Sequence, residues 1–86
     1  MKNIIISFKN RNTVMAFSKI FKSNGIIVHV IDTPRGISTS CGLSLKLNYL
    51  YYNKVLSIIQ QLRPNDLNGI FMSISEGISE RFERLV

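Results

Sequence analysis

The 86-residue sequence contains no tryptophan, one cysteine, one histidine and two prolines. A single cysteine cannot form an internal disulfide, which excludes a secreted scaffold stabilised by disulfides. His29 has no Cys, Asp or Glu at ligand spacing, so we expect no metal site and no cofactor. No stretch approaches the roughly 20 apolar residues of a membrane helix. Lys2 is followed by only a short apolar run, so we expect no signal peptide. These absences predict a protein of the reducing cytoplasm without a membrane partner.

Acidic side chains are also few, five against eleven Lys and Arg, and the formal net charge is +6. Residues 1–65 contain nine of the basic residues and one acid, Asp32, whereas residues 66–86 carry a small negative excess. A basic domain can bind acidic partners such as nucleic acid. However, RNA-binding sheets stack bases on exposed aromatic side chains, and only Phe8 and Phe71 are candidates here. The sequence therefore disfavours nucleic acid as the partner.

The side chains needed for common enzyme mechanisms are missing as well. We find no pair of carboxylates for acid–base work, no glycine-rich phosphate loop and no Ser/His/Asp set. Tyr49, Tyr51 and Tyr52 resemble a set of rings for stacking nucleic-acid bases, but on a helix they point in different directions. An ordinary hydrolase or kinase is therefore not expected, and the chain is predicted not to be an enzyme.

Apolar periodicity predicts an alternation of strands and helices. Asn10 and Asn48 are candidate N-caps, and Gly25 can end the first helix. Strands are predicted at residues 3–8, 26–31, 43–47 and 70–74, and helices at 11–24 and 49–62. The resulting order, β-α-β-β-α-β, predicts an α+β, ferredoxin-like fold with both helices on one face of a four-stranded antiparallel sheet.

The last residues show a different pattern. Ile78, Phe82 and Leu85 recur at i, i+4 and i+7 with charged residues between them, which predicts a short C-terminal helix. We therefore divide the chain into a ferredoxin-like domain, 1–74, and a helical extension, 75–86. The apolar stripe of this extension could form the contact of a homodimer, in which case deletion of residues 75–86 would give a monomer.

The stretch from Thr33 to Gly42 is the candidate functional site, because polar and glycine residues there surround the only thiol. Pro34 restricts the backbone, and Cys41 comes directly before the third strand. Arg35 supplies a permanent positive charge, and Ser38, Thr39 and Ser40 supply hydroxyl donors; both favour the thiolate form. We therefore predict an exposed, activated Cys41 with Arg35, Ser38 and Ser40 as its supporting residues. With no second cysteine, a bound persulfide or a mixed disulfide fits better than an internal redox cycle.

Simpler interpretations remain open for each residue. Cys41 can be a small buried apolar residue, which is the commonest role of an unpaired cysteine. Arg35 can support the loop through carbonyl groups or through Asp32. The three hydroxyl residues can bind only the backbone of the turn.

The segment Ile31–Leu43 resembles the signature of the selenium/sulfur carrier protein-like family, whose pattern runs roughly I-P-T-P-R-x-I-S-x-S-C-G-L. Weaker similarity at Phe8, Met15-Ala16 and Gly25-Ile26 extends the resemblance over about residues 4–74. This chain departs from the pattern at Asp32, where the family usually has proline, and a carboxylate there could pair with Arg35. The resemblance implies that Cys41 accepts sulfur or selenium as a persulfide or selenopersulfide. It also implies a donor, such as a cysteine desulfurase, and an acceptor protein.

The alternative function is a binding or assembly module of ferredoxin-like fold with an RNA or protein partner. In that interpretation the cysteine is structural and the protein carries no sulfur.

Overall fold

The computed structural model describes residues 2–37 and 41–86, which contain five strands and two α-helices. In chain order these are β1 (Lys2–Phe8), α1 (Arg11–Ser23), β2 (Val28–Asp32), β3 (Leu43–Asn48), α2 (Tyr52–Leu62), β4 (Leu67–Glu76) and β5 (Ser79–Arg84). A single 3-10 turn, Tyr49–Tyr51, leads into α2. The predicted α+β class and the order β-α-β-β-α-β are confirmed for the part of the chain before β5.

Polar side chains set the helix ends where the sequence predicts them. The Asn10 side chain accepts a hydrogen bond of 2.8 Å from the Asn12 amide at the start of α1. The Asn48 side chain accepts one of 2.9 Å from the Leu50 amide and so begins the 3-10 turn. Gly25 adopts a positive φ of 78° after α1, which a residue without Cβ tolerates best.

The strands form one antiparallel sheet in the order β2-β3-β1-β4-β5. β1 is the central strand, and its three consecutive isoleucines are almost completely buried because both sheet faces are covered there. Ile4 and Ile6 pack with α1 and α2 in the main core, whereas Ile5 belongs to a second cluster on the opposite face. We call these two sides the helix face and the open face of the sheet.

The predicted C-terminal helix is wrong. Residues Ser79–Arg84 form β5, which pairs with β4 and adds a fifth strand to the predicted sheet of four. Gly77, with a φ of 63°, begins the two-residue connection between the strands, as tight hairpin turns require. The apolar spacing that suggested a helix is divided between three environments: Ile78 is in the exposed turn, Phe82 packs on the open face and Leu85 packs against the main core.

Candidate functional site

The connection between β2 and β3 is closed at its base by Thr33. The Thr33 amide donates to the Gly42 carbonyl at 2.9 Å, and its hydroxyl donates to the Cys41 carbonyl at 3.1 Å. The same hydroxyl oxygen lies 2.7 Å from the Ser44 hydroxyl oxygen. Because Thr33 has one hydroxyl proton, Ser44 donates to Thr33. The main chain at Cys41 is therefore held to β2 by a short polar network.

Ser44 lies on the face of β3 opposite to that of Leu45 and Leu47. The alternation of β3 predicts Ser44 in water, but its side chain is completely buried on the open face, as is that of Ser7, its partner in β1. Asn68 donates to the Ser7 hydroxyl at 3.2 Å. The open face is therefore covered at this end of the sheet, and its buried hydroxyls have partners.

The first half of the connection folds back over the open face. Pro34 and Ile37 form a turn through a 3.0 Å backbone hydrogen bond. Ile37 is buried against Ile5 and Phe71, and Phe82 of β5 packs against the same cluster. A Cβ added to Gly36 would lie 2.5 Å from Cδ2 of the Phe82 ring, so the backbone of the connection contacts this ring directly.

Cys41 lies on the other side of the sheet. It has the same side-chain orientation as Leu43, Leu45 and Leu47, and it belongs to the main core on the helix face. Only 7% of its surface is exposed. The predicted exposed thiol at the strand edge is therefore wrong, because Cys41 continues the inward alternation of β3 by one further step.

The exposed part of Cys41 borders an open pocket of about 390 Å³. The other described residues that line the pocket are Lys9, Arg11, Asp32, Gly42 and Leu43. Lys9 and Arg11 flank Asn10, the N-cap of α1, so the positive end of the helix dipole lies at the same place. Two cations and a helix N-terminus therefore border the same pocket as the thiol, and they favour the approach of an anion.

Sequence reasoning missed Lys9 and Arg11, although the topology contains the signal. β1 and β3 are antiparallel neighbours in the predicted fold, so the end of β1 lies beside the beginning of β3. The residues directly after Phe8 must therefore approach the residues directly before Leu43, which include Cys41.

Of the other predicted site residues, Arg35 is exposed and is not among the described residues of the Cys41 pocket. Asp32 and Arg35 are both described, and they form no ion pair with each other. Instead, Asp32 lines the pocket. Ser38, Thr39 and Ser40 lie outside the described residues, so the roles predicted for them stay predictions.

The structure also bears on other ligand classes. In residues 2–37 and 41–86 no group of three or more His, Cys, Asp or Glu side chains could hold a metal ion. No described helix is long and apolar enough to span a membrane. Phe8 is completely buried in the main core and Phe71 is only 7% exposed. Neither of the two aromatic residues suggested for base stacking therefore presents its ring on the surface.

Together these features define a small α+β domain whose only thiol lies at the base of a strand connection, beside a basic pocket. The chain belongs to the family described as "Putative Se/S carrier protein-like", whose model matches residues 3–65. The match includes the whole β2–β3 connection and ends before β4 and β5, so the contact between Phe82 and Gly36 lies partly outside it. Searches of curated proteins and of solved structures found no match to this chain.

Proposed function

We propose that the protein is a sulfur or selenium carrier in which Cys41 is the acceptor. The observation that carries the proposal is the position of Cys41 within the part of the chain that matches the family, at a pocket that Lys9 and Arg11 also line. Carriage is stoichiometric, so the protein is proposed to act with a donor and an acceptor protein and not as an enzyme. The donor is proposed to be a protein persulfide such as that of a cysteine desulfurase.

The proposed transfer is a thiol–persulfide exchange. The Cys41 thiolate attacks the terminal sulfur of the donor persulfide, a new S–S bond forms at Cys41, and the S–S bond of the donor breaks. The donor cysteine leaves as a thiolate, and no external oxidant or reductant is consumed. Lys9 and Arg11 are proposed to attract the anionic donor persulfide and to stabilise the negative charge of the attacking and product sulfur atoms. Selenium would enter by the analogous attack on a donor selenium atom.

The burial of Cys41 supports one competing function. A cysteine that is 7% exposed and packed in the main core also fits a structural role. The alternative is therefore a binding or assembly module in which Cys41 contributes only to packing.

The experiment is intact mass measurement of the folded wild type and of Cys41→Ser after incubation with a cysteine desulfurase and cysteine, or with a selenium donor. We expect an increase of one sulfur or selenium atom on the wild type alone, reversed by a thiol reductant. A parallel alkylation of native and denatured protein by iodoacetamide reports whether Cys41 is accessible. An unchanged mass together with a native Cys41 that resists alkylation would establish the structural role instead.

A further inference from the structure

A second pocket, of about 290 Å³, lies at the opposite end of β3 from Cys41. We call it the distal pocket and define it by Asn3, Ile27, His29, Lys46, Leu50 and Tyr51. It reaches Asn48, the last residue of β3, whereas the Cys41 pocket reaches Leu43, the first; this separation corresponds to about 17 Å in a strand. A molecule bound there would leave the Cys41 pocket uncovered.

The apolar side chains of the distal pocket are unusually accessible. Leu50 is 87% exposed and Ile27 is 66% exposed, and both line the pocket together with the half-buried Tyr51. Single exposed apolar residues are common on protein surfaces, but large ones that converge on one concave site mark a binding surface. The ring of Tyr51 also packs against the main core, so the pocket has one rigid wall.

Among the described residues of the distal pocket the one charged side chain is basic, that of Lys46. Lys46 and His29 are register partners on β3 and β2, and no described Asp or Glu lines the pocket. On the open face the next carboxylate belongs to Glu80, which accepts a hydrogen bond from Ser73. Ser73 is the β4 partner of Asn3, and Glu80 on β5 pairs with Ser75, so this carboxylate belongs to a strand two positions away from β1 in the sheet.

The backbone beside the pocket is also accessible for pairing. β2 is an edge strand, and it contains neither lysine nor proline, the residues that commonly protect sheet edges. β5, the other edge, carries Glu80, Arg81, Glu83 and Arg84 among its six residues. The β2 edge is therefore the less protected of the two, and an extended peptide can pair with it as an additional strand.

We propose that the distal pocket and the β2 edge bind an extended acidic segment of a partner protein. One large apolar side chain of that segment fills the space between Ile27 and Leu50, and its flanking carboxylates contact Lys46 and His29. The volume is at the lower limit for ligand pockets, which fits one anchoring side chain better than a nucleotide-sized cofactor. This inference goes beyond sulfur carriage and does not depend on Cys41 chemistry.

The test is an NMR titration of the isotope-labelled full chain with a blocked peptide, acetyl-Asp-Glu-Phe-Glu-Asp-Val-amide. We expect chemical-shift changes concentrated at residues 27–31 and 46–51. Lys46→Glu and Leu50→Ser should each weaken binding about tenfold or more. The matched controls are Lys19→Glu, at an exposed position of α1, and Ile78→Ser, in the exposed hairpin turn. They make the same changes of charge and apolarity as the two test variants but should leave the affinity within about twofold.

Three results would overturn the proposal. The first is no saturable shift change at millimolar peptide, and the second is equal weakening by Lys46→Glu and Lys19→Glu, which would indicate non-specific attraction. The third is occupation of the same residues by another molecule in preference to the peptide: a single-stranded oligonucleotide, or a second copy of the chain detected by sedimentation. Spectra of all four variants confirm that each is folded before its affinity is compared.

Discussion

The Cys41 side chain is packed among apolar residues of the core, and its small exposed part borders a pocket that Lys9, Arg11 and Asp32 also line. Burial limits the approach of a reagent, whereas the cations favour the approach of an anion. A carrier thiol needs both protection between transfers and access during them. Different residues control the burial of Cys41 and the charge beside it, so substitutions can change one of these properties without the other.

The first prediction concerns the charge of the Cys41 pocket. In Lys9→Gln/Arg11→Gln, the alkylation rate of Cys41 by iodoacetate should fall about two- to fivefold relative to the rate with neutral iodoacetamide, because two cations no longer attract the anionic reagent. Added salt should reduce the ratio of the iodoacetate rate to the iodoacetamide rate in the wild type. Arg35→Gln, which is outside the pocket, is the matched control and should leave the ratio unchanged. A larger effect of Arg35→Gln would contradict this prediction and would support Arg35 as the cation that acts on Cys41, as predicted from sequence.

The second prediction concerns the polar network that holds the Cys41 main chain. Thr33→Val removes the hydroxyl that binds the Cys41 carbonyl and leaves the Ser44 hydroxyl buried without this acceptor. We expect a loss of about 1–3 kcal/mol in the free energy of unfolding and faster native alkylation of Cys41. Urea unfolding and iodoacetamide kinetics measure the two effects. Thr33→Ser keeps the hydroxyl and should restore most of both; failure of this rescue would assign the effect to packing.

At the scale of elements, the β4–β5 hairpin and the β2–β3 connection depend on each other. Phe82 packs against the cluster of Ile5, Ile37 and Phe71 and contacts Gly36 directly. Arg84 covers the outer side of Phe71, with its guanidinium carbon 5.2 Å from the ring centre. A strand outside the family match therefore supports the β2–β3 connection, which lies inside it.

The third prediction tests this contact with a double-mutant cycle. Gly36 has no positive φ, so Gly36→Ala strains only the contact with the Phe82 ring and should cost about 1–3 kcal/mol of unfolding free energy. In a Phe82→Ala background the added methyl group has space, and the cost should fall by about 1 kcal/mol or more. Phe82→Ala alone should also accelerate Cys41 alkylation in native protein. Additive effects, or no change in alkylation with Phe82→Ala compared with the control Ile78→Ala, would contradict the coupling.

At the scale of the whole molecule, the net charge favours binding of nucleic acid, whereas the burial of the aromatic side chains of the sheet disfavours it. The net charge of +6 would attract phosphates, but Phe8 is in the core and Phe71 lies beneath Ile37 and Arg84. The homodimer suggested from the C-terminal stripe loses its structural basis, because Ile78, Phe82 and Leu85 do not share one helical face. Self-association as such stays a prediction for sedimentation to test.

The fourth prediction is therefore weak, non-specific binding of single-stranded oligonucleotides. At physiological salt we expect no saturable complex at micromolar protein, and any binding at low salt should fall steeply as salt is added. Fluorescence anisotropy with labelled poly-U and poly-dT measures this. Binding that resists salt would contradict this prediction and support RNA binding as the function. Binding that depends on Phe71 would show, in addition, that the open face can expose an aromatic ring.

The local pattern of the sequence determined most of the elements. Capping by Asn10 and Asn48, the positive φ at Gly25 and the alternation of Leu43, Leu45 and Leu47 depend on near neighbours, so they were predictable. The run of residues around Cys41 also suggested the family whose model matches residues 3–65, because a contiguous run needs no tertiary contact to be recognised.

The tertiary structure decided what non-local contacts control. The last residues have weak helical spacing, but the unpaired edge of β4 offers backbone hydrogen bonds along its length, so they form β5 instead. Cys41 is buried because β3 continues its alternation into the core, and its cations come from the end of β1 because those strands are antiparallel neighbours. Sequence proximity suggested Arg35 as the partner of the thiol, whereas strand pairing brought Lys9 and Arg11 to it.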